Sequence, residues 1–367
     1  LVRQTQSMAF KRWYATPVTL PNGEHVLLGG RDSRFFAGTT TVPPTVDTFS
    51  PTPEVRTADG NWRQLSAATN DDAYGGISWS WYYPRAWLDP QGKIFIVAHK
   101  GQMYKLDTSG PGNLLKYSNK TLAGDHRLPS VMFAPGRILS VRKNRAAVVI
   151  DINGTGLPVI TSAGNLAKNR LYGMATVLAN GQVWINGGSS TGNYIDGAAL
   201  DSELWDPQTN TWITTASAAT PRLYHSASLL LADGSVLTGG GGAPGPLTQL
   251  NGEIFYPPYL FKTDGSGEFA NRPVIIDAPT TMIGWNQEFS IEATESISRV
   301  TLVRAGADTH NFNQETRFFE FPIANVGNIV TLLSPSSAVA PPGFYLLFAW
   351  NAAGVPSVAK IIQMGEL

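Results

Sequence analysis

Cysteine is absent from all 367 residues of the chain. That excludes structural disulfides, zinc–thiolate centres and cysteine nucleophiles within it. Charge is sparse too: charged residues make up 15%, and 27 basic side chains balance 27 acidic ones. A neutral chain with no basic run gives nucleic acid or an anionic membrane no electrostatic footing. No apolar run approaches the ~18 residues of a membrane-spanning helix. Leu1–Lys11 has no initiating methionine and lacks the form of a signal peptide, so the sequence reads as beginning inside a processed or truncated protein. Histidine is also scarce, with five in all, which leaves few candidates for a metal site.

What is present in quantity is glycine (37), proline (25) and tryptophan (10) within a 43% hydrophobic chain. Such a mixture suits short strands joined by tight turns. Five segments share one plan: an arginine, an alternating strand, a two-residue turn ending in glycine, and a second apolar strand. The arginines are Arg12, Arg85, Arg127, Arg170 and Arg222. The turns are Asn22-Gly23, Gln91-Gly92, Pro135-Gly136, Asn180-Gly181 and Asp233-Gly234. Asn-Gly and Asp-Gly accept the positive φ angles of a tight hairpin. Three copies close on glycine runs, Gly29-Gly30, Gly187-Gly188 and Gly239–Gly242, and two are followed by an outer strand expected to end in tryptophan, at Trp62 and Trp212. Recurrence at roughly 40–60 residues with these features is the kelch signature, one four-stranded propeller blade per repeat.

The pattern changes after Phe261. Lys262–Asn271 is polar and glycine-containing and is expected to be a linker. From Arg272 onward short alternating strands appear, such as Arg299–Val303 and Pro341–Phe348, as in an immunoglobulin-like sandwich. The chain is therefore all-β, with a kelch propeller over 1–262 and an immunoglobulin-like β-sandwich over 272–367.

Among the histidines, His25 lies in a predicted strand, His99 stands where other repeats have glycine, and His126 precedes a repeat's first strand. A packing or edge position accounts for His25 and a loop contact for His126, whereas His99 either lines the propeller channel or is structural. His225, in Pro221-Arg222-Leu223-Tyr224-His225, stands where a blade's first strand begins, and His310, in Ala307-Asp308-Thr309-His310, stands on a sandwich loop. A lone histidine is more often structural than a ligand, so spacing alone leaves this pair open.

Arg12-Trp13-Tyr14, Tyr224-His225-Ser226 with Gly239–Gly242, Thr309-His310-Asn311-Phe312-Asn313 and Asn351-Ala352-Ala353-Gly354-Val355-Pro356-Ser357 resemble, in order and interval, the galactose oxidase and glyoxal oxidase family of copper radical oxidases. The resemblance implies one copper ion held by Tyr14, Tyr224, His225 and His310. It makes Tyr14 the equatorial tyrosine that carries the radical and Tyr224 the axial general base. Arg85 aligns with the family's substrate-contacting arginine, or is simply its repeat's own arginine. Two imidazoles, a phenolate and an open position form the field Cu(II) prefers. The implied reaction oxidises a primary alcohol, an aldehyde or a carbohydrate alcohol and reduces O2 to hydrogen peroxide, outside the cell or at its surface.

The family pattern further implies a thioether between the radical tyrosine and a cysteine, which must come from outside this chain. It implies a shielding tryptophan after the first glycine pair, where this sequence has Arg31-Asp32-Ser33 with Phe35 and Phe36 nearby. It also implies seven blades, of which this chain supplies about five. The expectation is that a second polypeptide supplies the missing blades and the cysteine. The alternative is a redox-silent propeller that binds a carbohydrate or a protein partner.

Overall fold

The structure is a computed structural model describing residues 6–32, 49–323 and 326–366. It is all-β apart from short helical turns and forms two compact units, residues 1–126 with 151–160 and residues 127–150 with 161–367. Phe35 and Phe36 lie outside the described residues.

Each repeat is a sheet of consecutive antiparallel strands. The first comprises Trp13–Thr19, His25–Arg31, Glu54–Arg56 and Trp62–Gln64. The second comprises Arg85–Leu88, Ile94–Val97, Gln102–Asp107 and Asn113–Lys120. The third comprises Ser130–Ala134, Arg137–Val141, Ala146–Asp151 and Val159–Asn165. Met174–Val177, Val183–Asn186, Asp201–Asp206 and Thr211–Ser217 make the fourth. Ser226–Leu230, Val236–Gly240 and Gly252–Phe255 make the three-stranded fifth. All five turn glycines adopt the left-handed φ their hairpins need, between 64° at Gly136 and 87° at Gly181. One expectation is corrected: Trp62 and Trp212 do not end an outer strand but stand at the start of the next, Trp62 being its first residue and Trp212 its second. Each tryptophan follows the turn residue that reverses the chain, and from sequence the two sides of a turn look alike.

The repeat arginines explain why the sheets hold together. Arg12, Arg170 and Arg222 are nearly or fully buried under their own glycine pairs, and each reaches a glutamate on the third strand. The contacts are 2.8 Å to Glu54, 2.8 Å to Glu203 and 2.7 Å to Glu253. Each also donates to a carbonyl of its glycine pair, at Gly29, Gly187 and Gly240. Buried charge stays bound only when paired and hydrogen-bonded, and these are both. In the first unit, the Gly30 N–H donates to the Trp81 carbonyl at 2.8 Å, which ties the first sheet to the segment entering the second. In the second unit, the Gly188 N–H does the same to the Arg222 carbonyl at 2.7 Å. A Cβ on Gly29 would come within 2.6 Å of Pro84, and one on Gly187 within 2.6 Å of the Arg222 carbonyl. Glycine is therefore required where consecutive blades abut.

In the first unit the core lies between the first two sheets, where Val18, Val26, Leu28, Ala86, Ile94, Ile96 and Tyr104 are buried together. In the second, Phe133 meets Trp205 edge-on at 4.9 Å among Val131, Val177, Val183 and Ile185. Such a pair adds about 0.5–1.5 kcal/mol beyond the area it buries.

The C-terminal sandwich pairs a sheet of Ile275–Asp277, Glu288–Ile297 and Gly327–Leu333 with one ordered Phe318–Phe321, Arg299–Arg304, Gly343–Trp350 and Lys360–Met364. Ile291, Val300, Leu302, Val330, Tyr345 and Leu347 fill the space between. The sandwich docks on blade turns within its own unit. Thr301 Oγ1 donates to the Ala179 carbonyl, and Arg272 donates to those of Asp233, Pro356 and Ser357. The expected linker is itself folded: Phe261 bridges and stacks on Phe269, and Lys262 pairs with Glu268.

Candidate metal centre

Tyr224, His225 and His310 come together in the second unit. Arg222, locked to Glu253, fixes the chain just before the fifth sheet's first strand, and Tyr224 and His225 stand in the connection between them. His225 is exposed and adopts φ 67°, a left-handed conformation that a residue with a side chain takes at a cost.

His310 arrives by another route. The strand Arg299–Arg304 continues into a small hairpin, Asp308–Thr309 with Phe312–Asn313, and His310 and Asn311 are its two turn residues. Both have positive φ, 50° and 63°, the requirement of a type I′ turn. The hairpin packs on the first strands of the third, fourth and fifth sheets. Phe312 is buried, and Asp308 accepts the Ser228 N–H at 2.5 Å. Burial pushes the Asp308 carboxyl up to about 8, against the downward pull of two backbone N–H groups. The sequence led us to expect a loop; the geometry is a stiff two-residue turn.

The rings of His225 and His310 lie 4.4 Å apart, centroid to centroid, and nearly perpendicular, at 86°. Tyr224 stacks on His225 at 3.8 Å and meets His310 edge-on at 5.3 Å. The His225 Nδ1 lies 2.6 Å from the Ala243 carbonyl. A carbonyl can only accept, so Nδ1 carries the proton, which puts the lone pair of the neutral ring on Nε2. His310 Nδ1 lies 2.5 Å from Thr309 Oγ1, a hydroxyl able to donate or accept. Among the described residues, no three or more of His, Asp and Glu gather around one point. The groups brought together here are two imidazoles and a phenol, a combination of the kind that suits Cu(II) rather than a hard, oxygen-seeking cation.

A cavity of about 480 Å³ opens beside this cluster, lined by Arg127, Tyr172, Thr191, Gly192, Asn193, Tyr194, Pro244, Gly245 and Pro246. Tyr172 forms its wall and meets the Tyr224 ring edge-on at 4.9 Å. Sequence reading missed Tyr172. Its signal was available, because Tyr172 follows Arg170 at the same interval as Tyr224 follows Arg222.

Tyr14 stands in the first unit, two residues after Arg12, with φ 68°. Aromatic rings crowd it: Trp13 at 3.7 Å, Tyr83 at 5.0 Å, Tyr82 edge-on at 5.1 Å, and Trp81 parallel within 4° at 6.4 Å. The Arg31 guanidinium lies 4.4 Å from the Trp81 ring. Rings thus come from the neighbouring residue and the Trp79–Tyr83 segment, an aromatic run visible in the sequence. Arg85 is buried, and its guanidinium donates to the carbonyls of Tyr83 and His126 rather than to a third-strand glutamate. His25 is exposed, 3.3 Å from Thr19 Oγ1. His99 and His126 meet edge-on at 5.9 Å, and His126 also stacks on Trp79.

Residues 272–364 match the family model for the galactose oxidase-like early set domain. Galactose oxidase of Gibberella zeae is 28% identical over 94% of this chain and 59% of its own length. An aldehyde oxidase of Arabidopsis thaliana is 26% identical over 99% of this chain and 65% of its own. Among solved structures, a fungal alcohol oxidase in complex with copper superposes with a TM-score of 0.85 at 25% identity, over 98% of this chain and 77% of that one. The chain thus spans about three fifths of the galactose oxidase that it matches. Residues 272–364 are thus a galactose oxidase-like early set domain, and the chain as a whole is similar in sequence to galactose oxidase and in fold to a fungal alcohol oxidase.

Proposed function

We propose that this chain carries the copper-binding portion of an oxidase of primary alcohols or aldehydes that reduces O2 to hydrogen peroxide. The observation that carries the reading is the convergence of Tyr224 and His225, from the fifth blade, with His310, from the sandwich hairpin. His225 and His310 would hold copper through Nε2, with Tyr224 beside them, and Tyr14 keeps its place as a ligand on the sequence motif alone. The likeness to galactose oxidase and to an alcohol oxidase in complex with copper supports the reading. Copper would supply a one-electron couple and a Lewis-acidic position for the substrate oxygen.

The chain's own groups do the rest. The Tyr224 phenolate takes the substrate hydroxyl proton as general base. Tyr14, oxidised to its phenoxyl radical in surroundings of close aromatic rings, would take a hydrogen atom from the substrate carbon and return to the phenol, with O2 as the final acceptor of both substrate electrons. The cavity beside Tyr172 receives the remainder of the substrate, and contact with Arg85 is part of the same proposal. Export from the cell rests on the resemblance alone. The expected second polypeptide finds no support in the comparisons and is not carried forward.

The chain's lack of cysteine favours one other reading, a redox-silent module that binds a carbohydrate or protein partner. Copper titration of the purified chain, with peroxide detection over a panel of primary alcohols and aldehydes, separates the two. The oxidase reading expects stoichiometric Cu(II) binding that His310→Ala abolishes, together with peroxide from at least one substrate. Equal copper binding by the parent and by the His225→Ala/His310→Ala double variant would sink the site. Copper binding without peroxide from any substrate would favour the binding module.

A further inference from the structure

The Ala243 carbonyl helps to orient the His225 ring by engaging its Nδ1. Ala243 follows the run Gly239–Gly242 and precedes Pro244-Gly245-Pro246. Gly239 and Gly240 are held in the strand Val236–Gly240, whereas Gly241 and Gly242 lie beyond it and offer no side chain to anchor the segment. Because His225 itself is exposed, core packing does not fix its ring either. Something must hold the segment, and the structure shows what does. The Asn193 side-chain amide, from the loop after the fourth sheet's second strand, donates to the Gly242 carbonyl at 3.1 Å and to the Pro244 carbonyl at 3.2 Å. It therefore clamps the backbone on both sides of Ala243. The Gly242 N–H completes the frame by donating to the Tyr224 carbonyl at 2.6 Å. Two carbonyl acceptors fix which end of the Asn193 amide is nitrogen. Its Oδ1 is left buried with no hydrogen-bond partner among the described residues, so the amide is held by its donors alone.

We propose that Asn193 is a positioning residue for His225, acting through Ala243 to aim Nε2 at the copper. The inference rests on the reading of His225 as a copper ligand. Groups that orient a metal-binding histidine through its other ring nitrogen typically contribute about 10–100-fold to metal affinity.

Two substitutions test it on the full chain. Asn193→Asp keeps the shape and removes both donors, whereas Asn193→Gln keeps an amide. A third, Gly245→Ala, leaves Asn193 unsubstituted but brings a Cβ to 2.5 Å from its Nδ2 and 2.7 Å from the Gly242 carbonyl it holds, and so forces the two apart. Cu(II) affinity is read by chelator competition, the nitrogen coupling by electron paramagnetic resonance, and folding by melting of the metal-free protein. Asn193→Asp and Gly245→Ala should each weaken Cu(II) binding about 10–100-fold and alter the imidazole coupling, with little change in metal-free melting. Asn193→Gln should recover part of the loss. If Asn193→Asp and Gly245→Ala bind copper as the parent does, with an unchanged spectrum, while His225→Ala loses it, the proposal is overturned and the copper site stands. If His225→Ala also keeps copper, the site reading itself falls.

Discussion

Tyr14 and Tyr224 are mounted in the same way and surrounded differently. Each stands two residues after an arginine buried on a third-strand glutamate, Arg12 on Glu54 and Arg222 on Glu253. The repeat thus provides one rigid bracket and uses it for both tyrosines, as it does for Tyr172 after Arg170. Tyr14 is packed among Trp13, Trp81, Tyr82 and Tyr83, whereas Tyr224 has two imidazoles beside it and a cavity one ring away. Aromatic surroundings suit a phenol that exchanges an electron. Imidazoles and an opening suit one that exchanges a proton. The fold sets position, and the neighbours set chemistry.

The comparison breaks most sharply at the hydroxyls. Tyr14→Phe is expected to abolish peroxide formation outright. Tyr224→Phe is expected to keep copper and lower turnover by roughly 10²–10⁴-fold, the contribution of a general base. Equal losses in both variants would mean that the surroundings do not divide the labour.

The brackets can be compared next, through thermal or denaturant unfolding. Both side chains of the Arg12–Glu54 pair are fully buried, whereas Glu253 retains 27% exposure. Glu54→Gln strands a buried cation and should destabilise by about 3–5 kcal/mol. Glu253→Gln, where water can reach the vacated site, should lose only about 1–3 kcal/mol. The reverse order would refute burial as the deciding factor.

The smallest effect is expected at Arg85. If it touches substrate, Arg85→Lys should raise KM while leaving kcat and copper affinity unchanged. A drop in melting temperature with KM unmoved would reduce it to the brace that its bonds to the Tyr83 and His126 carbonyls describe.

The parts of this molecule that were legible in its sequence are the local ones. Asn22-Gly23, Asn180-Gly181 and Asp233-Gly234 announce their turns because positive φ is decided by one or two residues. The arginines were legible, but not their partners: Glu54, Glu203 and Glu253 lie 42, 33 and 31 residues away, with no spacing rule to find them. The histidine pair was suggested by motif. The approach of His310 to His225 depends on a hairpin whose packing surface is three separate sheets, and no single-sequence pattern encodes that. Thr309-His310-Asn311-Phe312 did carry a turn signal, asparagine at the second turn position, which a hairpin reading would have caught. Asn193 and the cavity were invisible, since both arise where loops of two sheets meet.

The I′ turn also shapes how this centre can drift over generations. His310 and Asn311 both occupy backbone space that most side chains avoid. Position 311 is therefore open chiefly to asparagine, aspartate and glycine, however far it stands from any chemistry. Insertion is stricter still, because one added residue would turn the hairpin's alternation over and carry the imidazole to the opposite face. The flanking loops can lengthen and the substrate walls can be rewritten, but this turn must keep its length. New specificities in this scaffold are thus expected to come from loops such as 191–197, with the hairpin at 308–313 inherited unchanged.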